Sequence, residues 1–581
     1  MDGPTTWIVT SCTQEFHLRI VGQTSESRTG RIRASFETDD PAPDTTHDEV
    51  FEYFIIPGPL LANSHGQAST DTFELVGCGP DLGYASGNLR SHGATRESSR
   101  SGSNGLMKAR HAARTPVAED FPGGPTRHRI FPSLAALVIF LLAGVLAPLA
   151  IGYLHISHSP QFSMIDEINH YDYVTRLAAG GFPRLGQDIQ PSSIRALQCY
   201  GLDLPGSTFP HCDAPFTAGD RAAFAATIAQ YEAQQPPTYY AVAVPLRWVA
   251  IHVFGFTDLT GTRIIGLLWL IAGLFCMWAA GRLLGLSPVL LGAGLLLIST
   301  SPVVMDSATI VSNDAADLFA GALIVLLGVL AWRRPWRFMP FTLLLAAFVV
   351  TSTKLVGVLP VLAVGVLFGI LECIRSGRSS WGTPANAVRR WFATGGALIT
   401  GGILSILAWL VASHSLSVID PVKVPTWQVL RGQPNGFSDV LREAVTMLAP
   451  MTNSFGAIYP GGTAVTITSV RWHNIALVLA YVLTALVLAG ALSGLFSSPR
   501  RWFHWTGLVT VATLFVGGVA LGYSVHYAYK IDASLSGRYG LAMVPLLILG
   551  LLAACRGRWV VGGFWAFGVL SLVTTSFVIL A

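Results

Sequence analysis

Thr238-Tyr239-Tyr240-Ala-Val-Ala-Val-Pro245-Leu-Arg247-Trp248-Val-Ala-Ile-His252-Val-Phe254 is apolar, yet Arg247, Trp248 and His252 interrupt it. Whether this stretch crosses a membrane fixes the orientation of every later segment. If it lies in the interface, the loops holding Arg282, Arg333 to Arg337, Arg375 to Arg390, Arg500 and Arg501, and Arg556 and Arg558 all fall on one side. That side also holds the basic flank Lys108 to Arg129, and the positive-inside rule makes it the cytoplasm. If the stretch crosses, every later loop inverts and the arginines face outward. The segment therefore reads as an interfacial amphipathic helix.

Composition leads the same way. Of 581 residues, 51% are hydrophobic and 12% charged, about half the charge of an ordinary soluble chain. Mean hydropathy is +0.51. From Ile130 onward, apolar runs alternate with short basic loops. About 20 apolar residues cross the hydrocarbon, and runs of roughly that length occur at 131–153, 261–281, 286–303, 314–332, 338–352, 355–373, 392–413, 474–497, 505–524, 539–554 and 559–580. The expected fold is an all-α polytopic membrane bundle of about eleven spans. It has one interfacial helix and two long outer loops, 155–236 and 414–473. A plasma-membrane location with a cytoplasmic N-terminus follows from the charge map. No basic stripe with interleaved aromatics is present, so nucleic acid is not an expected partner.

Residues 1–129 read as a cytoplasmic tail, and 1–106 are polar, aperiodic and expected to be disordered. Met107 opens Met-Lys-Ala-Arg-His-Ala-Ala-Arg, a basic run that would serve equally as a start. The seven cysteines form no CxxC pair or His/Cys cluster, so neither zinc nor iron–sulfur is indicated. Cys199 and Cys212 share the first outer loop, where one disulfide or two free thiols both suit the spacing.

Charged residues outside the basic loops are few, and at membrane depth each invites a functional reading. Asp166-Glu167-Ile-Asn-His170 follows the first span; in a helix Asp166 and His170 share a face. A carboxylate here can act as a general base, bind a metal, or simply cap the helix. Gln235-Pro236-Pro237-Thr-Tyr239-Tyr240 fixes a helix start and puts two tyrosines at headgroup level. Asn313 and Asp314 open a span, where either side chain could cap it. Lys354 breaks an apolar run too long for one span, so a tight outer turn is expected there. Arg538 and Tyr539, in Ser-Gly-Arg-Tyr-Gly-Leu-Ala-Met-Val-Pro, stand at the mouth of another span; a guanidinium grips phosphate with two parallel hydrogen bonds. The basic loops that set the topology exclude all these residues, yet all land on the outer face.

In order and type these motifs resemble those of the GT-C membrane glycosyltransferases. The resemblance covers about 130–555. It is especially similar to a bacterial family of multi-pass membrane proteins in that superfamily, itself of largely unassigned activity. The resemblance implies a GT-C-like domain over 130–581, with transfer of a sugar from a polyprenyl-phosphate donor to a glycan or lipid acceptor outside the cytoplasm. It implies Asp166 or Glu167 as base, near His170, with Asp314 assisting, and a divalent cation (Mg or Mn) held by Asp166 and Asp314. Lys354, Arg538 and Tyr539 would bind the donor phosphate; Gln235, Pro236, Pro237, Tyr239 and Asn313 would line the substrate. One departure matters: the proline motif often starts with His, and Gln235 stands there instead. Two other classes remain on residue grounds, a lipid or polysaccharide transporter and an inactive scaffold of the same fold. No motif repeats between the two halves, which weighs against the transporter.

The charge map makes a direct prediction. Single cysteines introduced at 333–337 are expected to resist an impermeant thiol reagent in intact cells, and those at 414–473 to react. Equal outward labelling at both would overturn the topology.

Overall fold

The computed structural model describes residues 5–10, 15–20, 91–92, 130, 133–163, 166–203, 209–333, 336–378, 384–417, 436–451, 478, 481–482, 484–493, 501–528, 537–555 and 557–580. Most of the tail 1–129 and of the loop 414–473, including its expected disorder, lies outside these residues. The chain divides into two units, Met1–Arg114 and Thr115–Ala581. In the first, β1 (Thr5–Thr10) pairs antiparallel with β2 (Glu15–Ile20) and β3 (Ser91–His92). Trp, Ile, Val and Thr make β1 a strand former, inside a stretch that reads as aperiodic.

The second unit is mostly helical. Its helices are α1 (Leu134–His158), α2 (Glu167–Ala178), α3 (Pro191–Tyr200), α4 (Thr238–His252), α5 (Asp258–Leu283), α6 (Pro288–Ser299), α7 (Pro302–Thr309) and α8 (Asp317–Arg333). They continue as α9 (Met339–Thr353), α10 (Val358–Arg378), α11 (Ala385–Leu416), α12 (Phe437–Met447), α13 (Thr484–Ser493), α14 (Arg501–Tyr523), α15 (Val544–Ala554) and α16 (Arg558–Leu580). Eight segments among the described residues are long and apolar enough to cross a membrane, nine if α6 and α7 form one span bent by 66°. Among the eleven expected spans, 338–352 forms the 15-residue α9. At 1.5 Å per residue that is about 22 Å, short of the ~30 Å hydrocarbon.

Local chemistry starts these helices. Ser133, Thr257 and Ser287 accept bonds from their first-turn amides, and Pro288 and Pro302 sit where a helix needs no amide hydrogen. In α1 the π-helical stretch Leu141–Leu146 lies just before Pro148, which cannot donate into the ladder. Pro237 caps α4, as the double proline predicts.

Glycines set how closely the helices pack. A Cβ on Gly266 of α5 would overlap the Ala308 carbonyl, and one on Gly273 would come within 2.9 Å of the Phe319 amide. On α8, a Cβ at Gly321 would overlap the carbonyl of Ala542. Small residues at such crossings let backbones approach within a membrane. The α6–α7 bend is closed by its neighbours: Ser571 and Thr575 of α16 donate to the Thr300 carbonyl at 3.4 and 3.0 Å. Ser301 donates to Met451 at 3.3 Å.

The first long loop, expected on the outer side, is not structureless. Within 155–236, α2 and α3 pack with the short parallel pair β4 (Phe162–Ser163) and β5 (Leu202–Asp203). Cys199 and Cys212 are joined as a disulfide with Cα atoms 4.3 Å apart, which closes one of the two readings of those cysteines. This cap has its own apolar core of Phe162, Ile168, Tyr173, Val174, Leu197 and Tyr240 among others, continued onto α5 by Ile265. Tyr239 and Tyr240 are 1% and 0% exposed in that core, rather than at a headgroup layer. Burial against α2 outweighs the interfacial preference of tyrosine. Trp248, Val253 and Phe254 lie exposed on α4 and beyond its end.

One ion pair fastens the cap. Glu167 accepts two bonds from Arg263 of α5, each 2.7 Å, and further bonds from the amides of Ser163 at 2.7 Å and Val311 at 2.8 Å. Arg263 also donates to the carbonyls of Ser159 and Gln161. Both side chains are almost wholly buried. Breaking one partner of a buried pair costs about 3–5 kcal/mol, because the other is left charged and unpaired. Glu167→Gln is accordingly expected to lower thermal stability in detergent by that order, and Glu167→Gln with Arg263→Gln to lower it less than additively. A Glu167→Gln protein with wild-type melting but no activity would refute this clamp role.

Candidate functional site

Four segments far apart in sequence bring charge to one place. The first is the start of α2. Asp166 occupies its N-cap position with φ 57°, the one non-glycine residue with a left-handed backbone among those described. Asp tolerates this better than most residues. Its carboxylate makes no capping bond, so the cap reading of Asp166 gives way. Instead Oδ2 lies 3.2 Å from Arg538 Nη2, and Oδ1 accepts from the Tyr231 hydroxyl. The neighbouring Glu167 is turned the other way, into the Arg263 clamp.

The second segment is the 3₁₀ turn Asn313–Ala316 ahead of α8. Neither Asn313 nor Asp314 caps it; Ser312 does, with Oγ accepting from the Asp314 amide at 3.1 Å. Asp314 is thereby free to face the cluster. Its Oδ1 pairs with Lys354 Nζ, and its Oδ2 lies 3.2 Å from Arg538 Nη1.

The third is the turn between α9 and α10. Lys354 takes an extended conformation there and is followed by the 3₁₀ turn Leu355–Gly357, as the expected tight turn requires. It reaches Asp314 and lies 3.5 Å from Asp317. Ser352, two residues earlier, accepts from Thr238 at 2.8 Å, tying this turn to the double-proline motif.

The fourth is the 3₁₀ segment Gly537–Met543 before α15. It carries Arg538 and Tyr539, and the Tyr539 ring lies 4.8 Å from Lys354 Nζ and 5.5 Å from the Arg538 guanidinium. Both cations are thus buried against a ring face and carboxylates, the arrangement that makes buried charge tolerable. His526 is buried nearby in sequence, while Lys530 and Asp532 fall outside the described residues.

Sequence reasoning missed a fifth contributor, the turn Glu232–Gln234. Tyr231 fixes Asp166, and Glu232 lies 3.7 Å from His170 Nδ1, which also meets the Tyr240 hydroxyl at 2.7 Å. Burial and the Asp166 charge push the Glu232 carboxyl up to about 8, against the opposing pull of Lys354 and Arg538. Burial and those same two cations hold the His170 imidazole well below its ordinary value, so it is neutral. The only signal in the sequence was a Tyr-Glu pair just ahead of Gln-Gln-Pro-Pro.

The remaining candidates surround this cluster without joining its ion pairs. The Gln235 carbonyl accepts from Tyr173 at 3.2 Å. Gln235 Oε1 and Asn313 Nδ2 are buried with no partner among the described residues. Pro236 and Pro237 shape the start of α4, and Tyr239 packs on Tyr240 and Trp269. Asp166 is the most open member, its side chain 29% exposed against 2% for Asp314 and 4% for Lys354. The assembly therefore has an accessible carboxylate in front and paired cations behind it. Such a site can take a proton from one group while holding an anion. No protein-family model matches the chain, and no curated protein does.

Proposed function

We propose that this chain is a GT-C-type membrane glycosyltransferase. It moves a sugar from a polyprenyl-phosphate donor to a hydroxyl of a glycan or lipid acceptor on the extracytoplasmic side. On this reading the bundle has about eleven spans, α4 lies in the interface with Trp248 and Phe254 toward lipid, and the N-terminus is cytoplasmic in a plasma-membrane protein. The observation that carries the reading is the meeting of Asp166, Asp314, Lys354 and Arg538 in one ion-paired cluster.

The roles follow from geometry. Asp166, the most open carboxylate, takes the acceptor proton as the acceptor oxygen bonds to the sugar C1. The bond from C1 to the phosphate oxygen breaks, and its electron pair leaves with the polyprenyl phosphate. Arg538 and Lys354 stabilise that leaving anion, the larger electrostatic contribution. Asp314 holds both cations in position. Glu167 is a positioning residue that anchors the helix carrying Asp166. Gln235 and Asn313, with orphaned polar atoms, would meet sugar hydroxyls.

No step is written through a divalent cation. Arg538 already bridges Asp166 and Asp314, the two expected ligands, and a cation between them would face the guanidinium. Among the described residues no three His, Cys, Asp or Glu side chains gather as a metal site. The bent α6–α7 pair is the feature that would favour a transporter, since such proteins place ions at broken helices. The buried Thr300 carbonyl at the bend is taken by Ser571 and Thr575, so the bend is a packed kink.

Asp166→Asn is expected to cut sugar transfer by about 10²–10⁴-fold, the ordinary worth of a general base, with no loss of donor binding. Arg538→Lys keeps the charge but loses the planar fork, so donor binding should weaken by about tenfold. Transfer of radiolabelled sugar from a defined polyprenyl donor measures both, and full activity in Asp166→Asn would sink the assignment.

The raised Glu232 carboxyl adds a pH signature. It is neutral below about 8 and ionises above it, which adds negative charge beside Asp166 and the cations. Donor binding should therefore weaken as pH rises through 8, and Glu232→Gln should flatten that fall. An unchanged alkaline slope in the variant would remove Glu232 from the site.

A further inference from the structure

Arg538 is the group shared by both halves of the site. One of its terminal nitrogens lies 3.2 Å from Asp166 and the other 3.2 Å from Asp314. Lys354 is engaged by Asp314 and Asp317. Each cation of the cluster thus already holds a carboxylate, and a phosphate that grips the two terminal nitrogens of Arg538 replaces one of them. The carboxylates differ in how firmly they are kept. Asp314 is almost fully buried, paired to Lys354, and accepts from Ser312 at 3.0 Å. Asp166 is 29% exposed and sits on a left-handed backbone, with Tyr231 as its other side-chain partner. Asp166 is the one that yields.

Resting on the proposed reading of the site, we propose that Asp166 and the donor phosphate compete for the same face of Arg538. A phosphate oxyanion displaces the carboxylate and thereby releases it to act as base. While paired, Asp166 has one oxygen on Arg538 and the other on Tyr231, leaving fewer lone pairs to take a proton. Displacement by phosphate frees one oxygen. The order of binding follows: donor first, acceptor second. An acceptor that arrives without donor meets an occupied carboxylate, so idle deprotonation is disfavoured.

The test uses the full chain in lipid nanodiscs with farnesyl phosphate as probe, by calorimetric titration. Asp166→Asn should bind farnesyl phosphate about tenfold tighter than wild type, because one charged competitor for Arg538 is gone. Asn suits the left-handed position as well as Asp does, and Asp166→Gly, also at ease there, is the second variant and should tighten binding too. Glu232→Gln, titrated above about pH 8 where Glu232 is ionised, is the control: it removes a nearby negative charge that is not bonded to Arg538, and should shift affinity less. Unchanged or weaker binding in both Asp166 variants, or equal tightening in Glu232→Gln, overturns the competition. Inorganic phosphate separates the sources of the oxyanion. If it shows the same rank order but binds more weakly than farnesyl phosphate, displacement by a lipid phosphate is supported. If it binds as tightly, displacement stands and the lipid donor falls. No binding of either probe by monodisperse protein overturns both the competition and the transferase reading.

Discussion

A guanidinium that is 6% exposed cannot stand alone. The effective penalty for an unpaired buried ion is several kcal/mol, so Arg538 requires carboxylates, and they come from two directions. Asp166 arrives from the cap and Asp314 from the start of α8. Lys354 makes the same demand of Asp314 and Asp317. The cluster is therefore a mutual constraint: each segment is held where it is because the others would be left charged. Backbone packing supplies the required closeness. Gly321 lets the segment bearing Arg538 lie against α8, where any larger residue would overlap the Ala542 carbonyl.

Asp166 and Glu167 are adjacent in sequence and have opposite fates. The left-handed residue at the helix start turns one carboxylate toward Arg538, while the first helical residue sends the other toward Arg263. One stays partly open, and the other is fixed by bonds to three separate segments. The cap that carries both is stapled by the Cys199–Cys212 disulfide and by the Glu167 clamp. The disulfide holds the cap together internally, while the Glu167 clamp and apolar contact with α5 set its position over the bundle.

The helical, multi-span character was legible because hydropathy and span length are properties of continuous sequence. The meeting of Asp314, Lys354 and Arg538 was legible too, since a charge breaking an apolar run has few places to go. What stayed hidden depends on directions that sequence does not carry. Whether Asp166 or Glu167 faced the cluster turned on a single backbone dihedral. The capping role fell to Ser312 rather than to Asn313 or Asp314, which released Asp314 for its ion pairs. Tyr239 and Tyr240 look like headgroup anchors until α2 covers them. Glu232 lies in a polar turn that no periodicity marks, and only the fold puts it beside His170. In the first unit, the β1–β2 pairing lay within a stretch whose polar composition concealed it.

The geometry also bears on the charge map from which the topology was read. Asp314, Lys354 and Arg538 lie at or just before the starts of α8, α10 and α15, and their ion pairs bring those starts together. The segments Asn313–Arg333, Leu355–Ile374 and Gly537–Ala554 run 21, 20 and 18 residues. A straight helix of that length puts its far end about 27–32 Å away, roughly one hydrocarbon thickness. At or just beyond those far ends stand Arg333, Arg375 and Arg378, and Arg558. The arginine-rich ends and the carboxylate–cation cluster are thus separated by a membrane's width along the same three helices. The helix dipoles add to this, because three positive N-terminal ends converge on the acidic residues. If the arginine-rich ends face the cytoplasm, as the positive-inside rule has it, the carboxylate–cation cluster lies on the outer side, the side on which the proposed lipid-borne phosphate would approach it from within the bilayer.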